Sequence, residues 1–272
     1  MKMVVLSDIH IDLPFEDQKY PDNLARLEAA IDRINTAYSD ADLVVFAGDL
    51  VDRGRFAAPY EAFKDALSDL SPRYALTVGN HDDRGTFCSV MGKAHCDENG
   101  YVQSAHTIDG THVIVLDSAA DAPAPEGYRG ARAAWGQFCA QRLERLKLWL
   151  QAAKGQPVIV ILHHPPRELG IWGDDLLLRE ADALVDMLVE HGNVRQVISG
   201  HIHRTTTAFH RGIPFTTLAG GCTTVSEDFG RRENRHRRSG PAQMAVVLSD
   251  SNQTTVHFDN YCDEHRIVVR SY

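Results

Sequence analysis

The chain has 272 residues, 43% hydrophobic and 24% charged, with 37 acidic against 28 basic side chains and a net charge of −9. That length supports a substantial core in one large or two small domains, and the acidic balance argues against a general nucleic-acid binder, which carries a basic field. No apolar run approaches the roughly 20 residues of a membrane span, and the apolar start at residues 1–6 is too short for a signal peptide.

In chain order, the apolar, β-branched run at 3–6 predicts a buried strand that stops at Asp8-x-His10. Leu24, Leu27, Ile31 and Ile34 recur at spacings of three and four and predict a helix capped at Asp22 or Asn23. Runs at 43–47 and 74–78 predict strands ending in Gly48-Asp49 and in Gly79-Asn80-His81-Asp82. Another strand is predicted at 112–116. Those at 158–162 and 194–198 lead into His163-His164 and Gly200-His201-x-His203. Two more helical stripes, Leu143, Leu146, Leu150 and Leu177, Ala181, Leu184, Leu188, complete an alternation that predicts right-handed βαβ units and a largely parallel sheet.

The last quarter differs. Runs at 213–218, 244–248, 254–258 and 267–269 have no helices between them, so antiparallel pairing and a second, mixed sheet are predicted. The expected fold class is α/β, a four-layer αββα sandwich of two mixed sheets flanked by helices. It is read as a single domain over 1–272, with 219–272 a divergent extension of the second sheet and a candidate lid. Residues 119–136, rich in Ala, Pro and Gly, read as a surface loop. Residues 226–240 are polar, with five arginines within 231–238, and read either as a solvated loop or as a lid that meets a substrate phosphate. Five cysteines, odd in number and without a C-x-x-C pair, argue against a disulfide framework and favour a reducing cytoplasm.

The five polar fragments carry the chemistry. In open parallel sheets ligands bind beyond the carboxyl ends of the strands, and every fragment begins within a few residues of such an end. Asp8 and His10 lie two apart, so an extended segment would turn both to one face. Asp49 can bridge two cations through its two carboxylate oxygens. Asn80 offers a hard amide oxygen that adds no charge. His164 precedes Pro165 and is pushed toward extended backbone. Each fragment alone is unremarkable, since Gly-Asp is a common turn and a lone buried histidine is usually a core residue; the conjunction of five in this order is specific.

That order, D-x-H, G-D, G-N-H-D, H, G-H-x-H, resembles the calcineurin-like metallophosphoesterases over roughly residues 3 to 218. Gly79-Asn80-His81-Asp82-Asp83 and His163-His164-Pro165-Pro166 are similar to class III cyclic-nucleotide phosphodiesterases and bacterial glycerophosphodiesterases. The resemblance implies two divalent metal ions, with Mn, Fe, Co and Zn all compatible. Asp8, His10 and His203 would hold one, Asn80, His163 and His201 the other, and Asp49 would bridge. His81 would be the catalytic residue that meets the substrate phosphate or leaving group. The absence of a tyrosine in Gly48-Asp49-Leu50-Val51-Asp52 does not support the tyrosinate-bound ferric ion of purple acid phosphatases.

Two such ions about 3.5–4 Å apart lower the pKa of a bridging water enough to give hydroxide at neutral pH. The expected reaction is therefore hydrolysis of a small phosphodiester, a 3′,5′-cyclic nucleotide or a glycerophosphodiester. A phosphomonoesterase, a nucleotide diphosphatase and a non-catalytic scaffold on the same fold are the alternatives. Neither a membrane nor nucleic acid is an expected partner, and self-association stays open.

Overall fold

The computed structural model describes residues 1–13, 15–20, 22–228 and 231–262, with backbone alone at 172, 227–228 and 231–235. The run at 267–269, predicted as a strand, lies outside the described residues. In chain order the elements are β1 (Lys2–Leu6), α1 (Asn23–Ala37), β2 (Leu43–Ala47), α2 (Ala57–Leu67), β3 (Tyr74–Thr77), α3 (Arg84–Met91), β4 (Ser104–Ile108), β5 (Thr111–Leu116) and α4 (Ala140–Ala153). There follow β6 (Val158–Leu162), α5 (Ala181–His191), β7 (Val194–Ser199), β8 (Thr206–His210), β9 (Ile213–Thr217), β10 (Thr224–Asp228), β11 (Arg231–Arg238), β12 (Gln243–Ser249) and β13 (Thr254–Asn260).

One sheet has the order β13-β12-β1-β2-β3 and the other β4-β5-β6-β7-β9-β8. Strands β1, β2 and β3 run parallel, as do β5, β6, β7 and β9. The sheets face each other across a layer in which Met3, Val5, Leu43, Val45, Val113, Val115, Ile159, Ile161 and Ile198 pack together. The opposite face of the first sheet carries Leu27, Ile31 and Ile34 of α1 and Tyr60 and Phe63 of α2. That of the second carries Leu146 and Leu150 of α4 with Leu184 and Leu188 of α5. Strands buried on both faces read as continuous apolar runs, which is why VVL, LVVFA and VIVIL signal the core so clearly. The αββα layering expected from the sequence is the observed fold.

Several details differ from expectation. The C-terminal strands divide between the sheets: β8 and β9 complete the second, whereas β12 returns to pair antiparallel with β1, and β13 follows it as an edge. Residues 243–260 thus extend the first sheet, not the second. The strands β4 and β8 escape the sequence reading because they are edge strands with alternating exposure and mixed polarity. Asp22 makes no side-chain cap on α1. The Asn23 amide instead donates to the carbonyls of Ile9 and His10, at 2.8 and 2.9 Å, and ties the helix to the loop after β1.

Cys88 and Cys96, eight positions apart, are joined as a disulfide across the end of α3. A helix terminus folding back brings together two cysteines whose spacing carries no pairing signal. The pair removes the cysteine count as an argument for a reducing compartment. No helix among the described residues is long and apolar enough to cross a membrane.

Candidate metal centre

Five loops meet at the carboxyl ends of β1, β2, β3, β6 and β7. Where strand pairing stops, backbone bonds continue between the loops: Asp8 N donates to Gly48 O at 3.0 Å, His10 N to Asp49 O at 2.9 Å, and Gly200 N to His163 O at 3.0 Å. The expected extended Asp8-x-His10 does not form. Asp8, His10 and Asp49 take φ values of 56°, 51° and 50°, and His201 and His203 take 72° and 52°. Left-handed backbone outside glycine costs about 1–3 kcal/mol per residue and gathers at functional sites. Five of the seven candidate ligands therefore share a face through local turns held by neighbouring loops, not through strand alternation.

Small residues let the loops approach. A Cβ on Gly79 would lie 2.6 Å from Asp49 N and 2.7 Å from His163 Nε2, and one on Gly200 would lie 2.6 Å from Asp8 Oδ2. Neither position admits alanine without moving a candidate ligand.

The side chains converge on Asp49. Its Oδ2 lies 3.5 Å from His10 Nε2 and 3.3 Å from His163 Nε2, and its Oδ1 accepts the His81 N–H at 2.8 Å. Asp8 Oδ1 lies 3.3 Å from His203 Nε2. Donor atoms within 4.8 Å of one another form the sets Asp8, Asp49, His163; His10, Asp49, His81; His163, His164, His201; and His10, His203, Cys222. Asn80 lines the same cavity as His10, Asp49, His201 and His203. The structure thus brings together all seven residues singled out as ligands.

Hydrogen bonds on the far ring nitrogens fix which atoms face the centre. His163 Nδ1 bonds the Ala47 carbonyl at 2.9 Å and His203 Nδ1 the Thr223 carbonyl at 2.7 Å. A carbonyl only accepts, so each Nδ1 carries the proton, and in the neutral ring Nε2 keeps its lone pair for a ligand. Asn80 Nδ2 donates to the Tyr128 hydroxyl at 2.6 Å, which leaves Oδ1 turned the other way. His10 Nε2, Asn80 Oδ1, His163 Nε2 and His201 Nε2 are buried without a hydrogen-bond partner. Orphaned buried acceptors are costly; oxygen and imidazole donors in this number fit divalent cations.

Charge follows burial and neighbours. Burial pushes His201 down to about 3 and His203 down to about 4, so both are neutral, the ligating form. Burial would lower His163 too, but the Asp49 carboxylate outweighs it and raises the group to about 9. His164 is held well below its ordinary value by burial and by His201 and His163. Its Nδ1 bonds Ser118 Oγ at 2.9 Å. Cys222 is kept as a neutral thiol near 12 by burial and Asp8, and it sits 3.5 Å from His203 Nδ1, the nitrogen already used by Thr223.

His81 packs edge-on against His10, with ring centroids 4.5 Å apart, but its ring nitrogens have partners of their own. Its Nδ1 donates to the Asp52 carbonyl at 2.9 Å and lies 3.3 Å from Asp52 Oδ1, while its Nε2 meets the Tyr128 hydroxyl at 3.2 Å. Burial opposes its protonation, but Asp49 and Asp52 prevail and raise its pKa.

Sequence reasoning gave Asp52, Tyr128 and Arg129 no role. Arg129 donates from Nε to Asp52 and from Nη2 to Asp12, each at 2.5 Å, and so braces the carboxylate that supports both His10 and His81. The segment 119–136, read as a surface loop, has no helix or strand but is partly packed: Ala131 and Ala133 are buried, and Tyr128 reaches the candidate ligand Asn80. The arginine-rich segment, by contrast, is no irregular loop. Strands β10 and β11 form a two-stranded ribbon, and Arg237 lines the same cavity, of about 490 Å³. His106, His112 and His257, given no role from sequence, lie on strands away from this cavity.

A two-sheet α/β sandwich with carboxylate, amide and imidazole donors at its strand ends defines the metallophosphoesterase class. The chain belongs to the calcineurin-like phosphoesterase family, whose model matches residues 1–205. It is 28% identical over 260 residues to the probable cyclic nucleotide phosphodiesterase of Rhodopseudomonas palustris, covering 94% of this chain and 91% of that one. To the 3′,5′-cyclic adenosine monophosphate phosphodiesterase CpdA of Vibrio vulnificus it is 24% identical, covering 84% and 80%. A dimetal phosphatase from Danio rerio shares the fold with a TM-score of 0.66, 15% identity, and coverage of 96% of this chain and 98% of that one. The family makes the protein a hydrolytic phosphoesterase, and the relatives it resembles are named as phosphodiesterases.

Proposed function

We propose that the protein hydrolyses small phosphodiesters, 3′,5′-cyclic nucleotides foremost, at a pair of divalent ions. Asp8, His10 and His203 would hold one ion, Asn80, His163 and His201 the other, and Asp49 would be shared between them. The observation that carries this reading is the set of inward-facing, unpartnered donors on His10, Asn80, His163 and His201, arranged around Asp8 and Asp49. The names of the Rhodopseudomonas and Vibrio relatives support the choice of cyclic nucleotides.

When bound, divalent ions supply Lewis acidity, which neutralises phosphoryl oxygens and makes water a nucleophile at neutral pH. The chain's own groups do the rest. Asp52 holds the His81 ring by Nδ1, so Nε2 is the nitrogen left to give a proton to the departing oxygen. Beside Asp49, Asp52 is the group that raises the His81 pKa, through hydrogen bonding as well as charge. Tyr128 orients Asn80 and meets His81, so it links ligand and acid. The apolar wall of Ile171, Leu176 and Ile202 suits the organic part of a nucleotide or aryl ester.

The deciding assay is turnover of bis(p-nitrophenyl) phosphate, p-nitrophenyl phosphate and 3′,5′-cyclic AMP by protein reconstituted with Mn²⁺, Co²⁺ or Zn²⁺. Hydrolysis of both diesters above the monoester is expected. Monoester preference would make it a phosphomonoesterase, and inactivity with every metal would reject the enzymatic reading.

A further inference from the structure

Two cations at the mouth of the cavity, Lys19 and Arg237, have no acidic partner among the described residues. Lys19 Nζ lies 4.8 Å from the centre of the Tyr20 ring. Arg237 Nη1 donates to the hydroxyl of that tyrosine and to Thr223 Oγ1, each at 3.2 Å. The Tyr20 ring packs in turn on His10, with centroids 5.6 Å apart. One aromatic ring thus separates a candidate metal ligand from a pair of cations that flank it. Of the other arginines that line the cavity, Arg129 is already bound to Asp12 and Asp52, and Asp12 also accepts the backbone N–H of Lys19.

Like charges held side by side without a counter-ion are unfavourable, and an arginine fork beside a lysine is a common solution for a phosphoryl group. We propose that Lys19 and Arg237 form an anion clasp for a second phosphoryl group, so that the site also takes phosphodiesters or nucleotides that carry a phosphate beyond the one held at the metal centre. This rests on the metal-centred reading above. With the diester at Asp49 and the base or alkyl portion along Ile171, Leu176 and Ile202, the second group extends over Tyr20 to the clasp. The ribbon β10–β11 then serves the phosphate-meeting alternative that its arginines suggested, by delivering Arg237 to a cavity wall shared with Lys19 and Tyr20.

The test titrates metal-loaded protein with adenosine 5′-monophosphate and adenosine 3′,5′-bisphosphate, by calorimetry and as competitors of bis(p-nitrophenyl) phosphate hydrolysis. The bisphosphate should bind about tenfold more tightly, as charge-assisted hydrogen bonds of this kind allow. In Lys19→Met and Arg237→Met the ratio should shrink, reaching about twofold or less in the double variant. Both side chains are exposed, so melting temperature and metal content should stay at wild-type values and certify the fold. A wild-type ratio near one, or a ratio that both substitutions leave intact, overturns the clasp. The two readings fail separately. Bisphosphate preference without diester hydrolysis would sink the reaction and keep the clasp; hydrolysis without the preference would do the reverse.

Discussion

The floor of the cavity and its rim are held in different ways. On the floor, Asp8, His10, Asp49, His201 and His203 are fixed by the backbone, in left-handed turns whose N–H and C=O groups bond to adjacent loops. On the rim, Lys19, Tyr128, Arg129 and Arg237 come from irregular chain or the ribbon and are placed by other side chains. The floor is rigid because each turn is over-determined, whereas the rim can be altered one residue at a time. Lys19 and Arg237 can change there without touching the candidate ligands, whereas Tyr128 and Arg129 reach down to Asn80 and Asp52.

Asp49→Ala strikes the floor at its centre and should have the largest effect. Bound metal should fall below two per chain and turnover by more than about 100-fold, beyond the usual cost of losing a mere supporting group. Two metals per chain in an active variant, by elemental analysis, would refute the bridge. His81→Ala should keep its metals but lose about 10²–10³ in kcat. The loss should be smaller on an aryl diester than on an alkyl one if His81 protonates the leaving oxygen. Equal, wild-type rates on both would make it a bystander.

His163 and His164 sharpen the comparison, because the two neighbours have different partners. His163→Ala should lose a metal; His164→Ala should retain both, at a cost of up to about 10–100-fold in affinity or activity. The reverse metal contents would exchange their roles. Tyr128→Phe reaches the floor only from the rim. It should weaken metal affinity by about tenfold, the lower end for a group that orients a ligand, and unaltered affinity would leave Asn80 oriented by other means.

The smallest effect is on pH-dependent stability of the metal-stripped protein. His201 and His203, at about 3 and about 4, are depressed below the ordinary 6.5. The unfolded chain takes up their protons first, so stability is lost as pH falls from 6.5 toward 3. His163, raised to about 9, contributes in the opposite sense: its share is full below 6.5 and lost as pH rises through 9. Tm should therefore peak near neutrality, moving by about 2–4 °C per kcal/mol in a chain of roughly this size. Metal should flatten the alkaline side, since it displaces the His163 proton. A metal-free Tm that is level between pH 4 and 9 would contradict these shifts.

What was legible in the sequence follows the same division. Floor residues stand directly after doubly buried strands, and an apolar run followed by Asp, Asn or His is a readable signal. The rim is not, because its partners are far apart in sequence. Arg129 lies 77 positions from Asp52 and 117 from Asp12, within a stretch of Ala, Pro and Gly that has no period. Asp52 was visible beside Asp49, yet nothing local indicates that it supports two histidines. The left-handed turns were hidden too, since D-x-H reads equally well as extended chain.

The pairing of β12 with β1 bears on the order in which the molecule is assembled during synthesis. Residues 3–6 are fully buried, yet until residues 243–249 emerge from the ribosome β1 has only β2 beside it and presents an open, apolar edge. Gly221, whose N–H bonds the carbonyls of Ser7 and Asp8, arrives almost as late. The loop bearing Asp8 and His10, among the first residues translated, is therefore among the last to be locked. A nascent chain stalled before residue 243 should expose that edge to chaperones and aggregation.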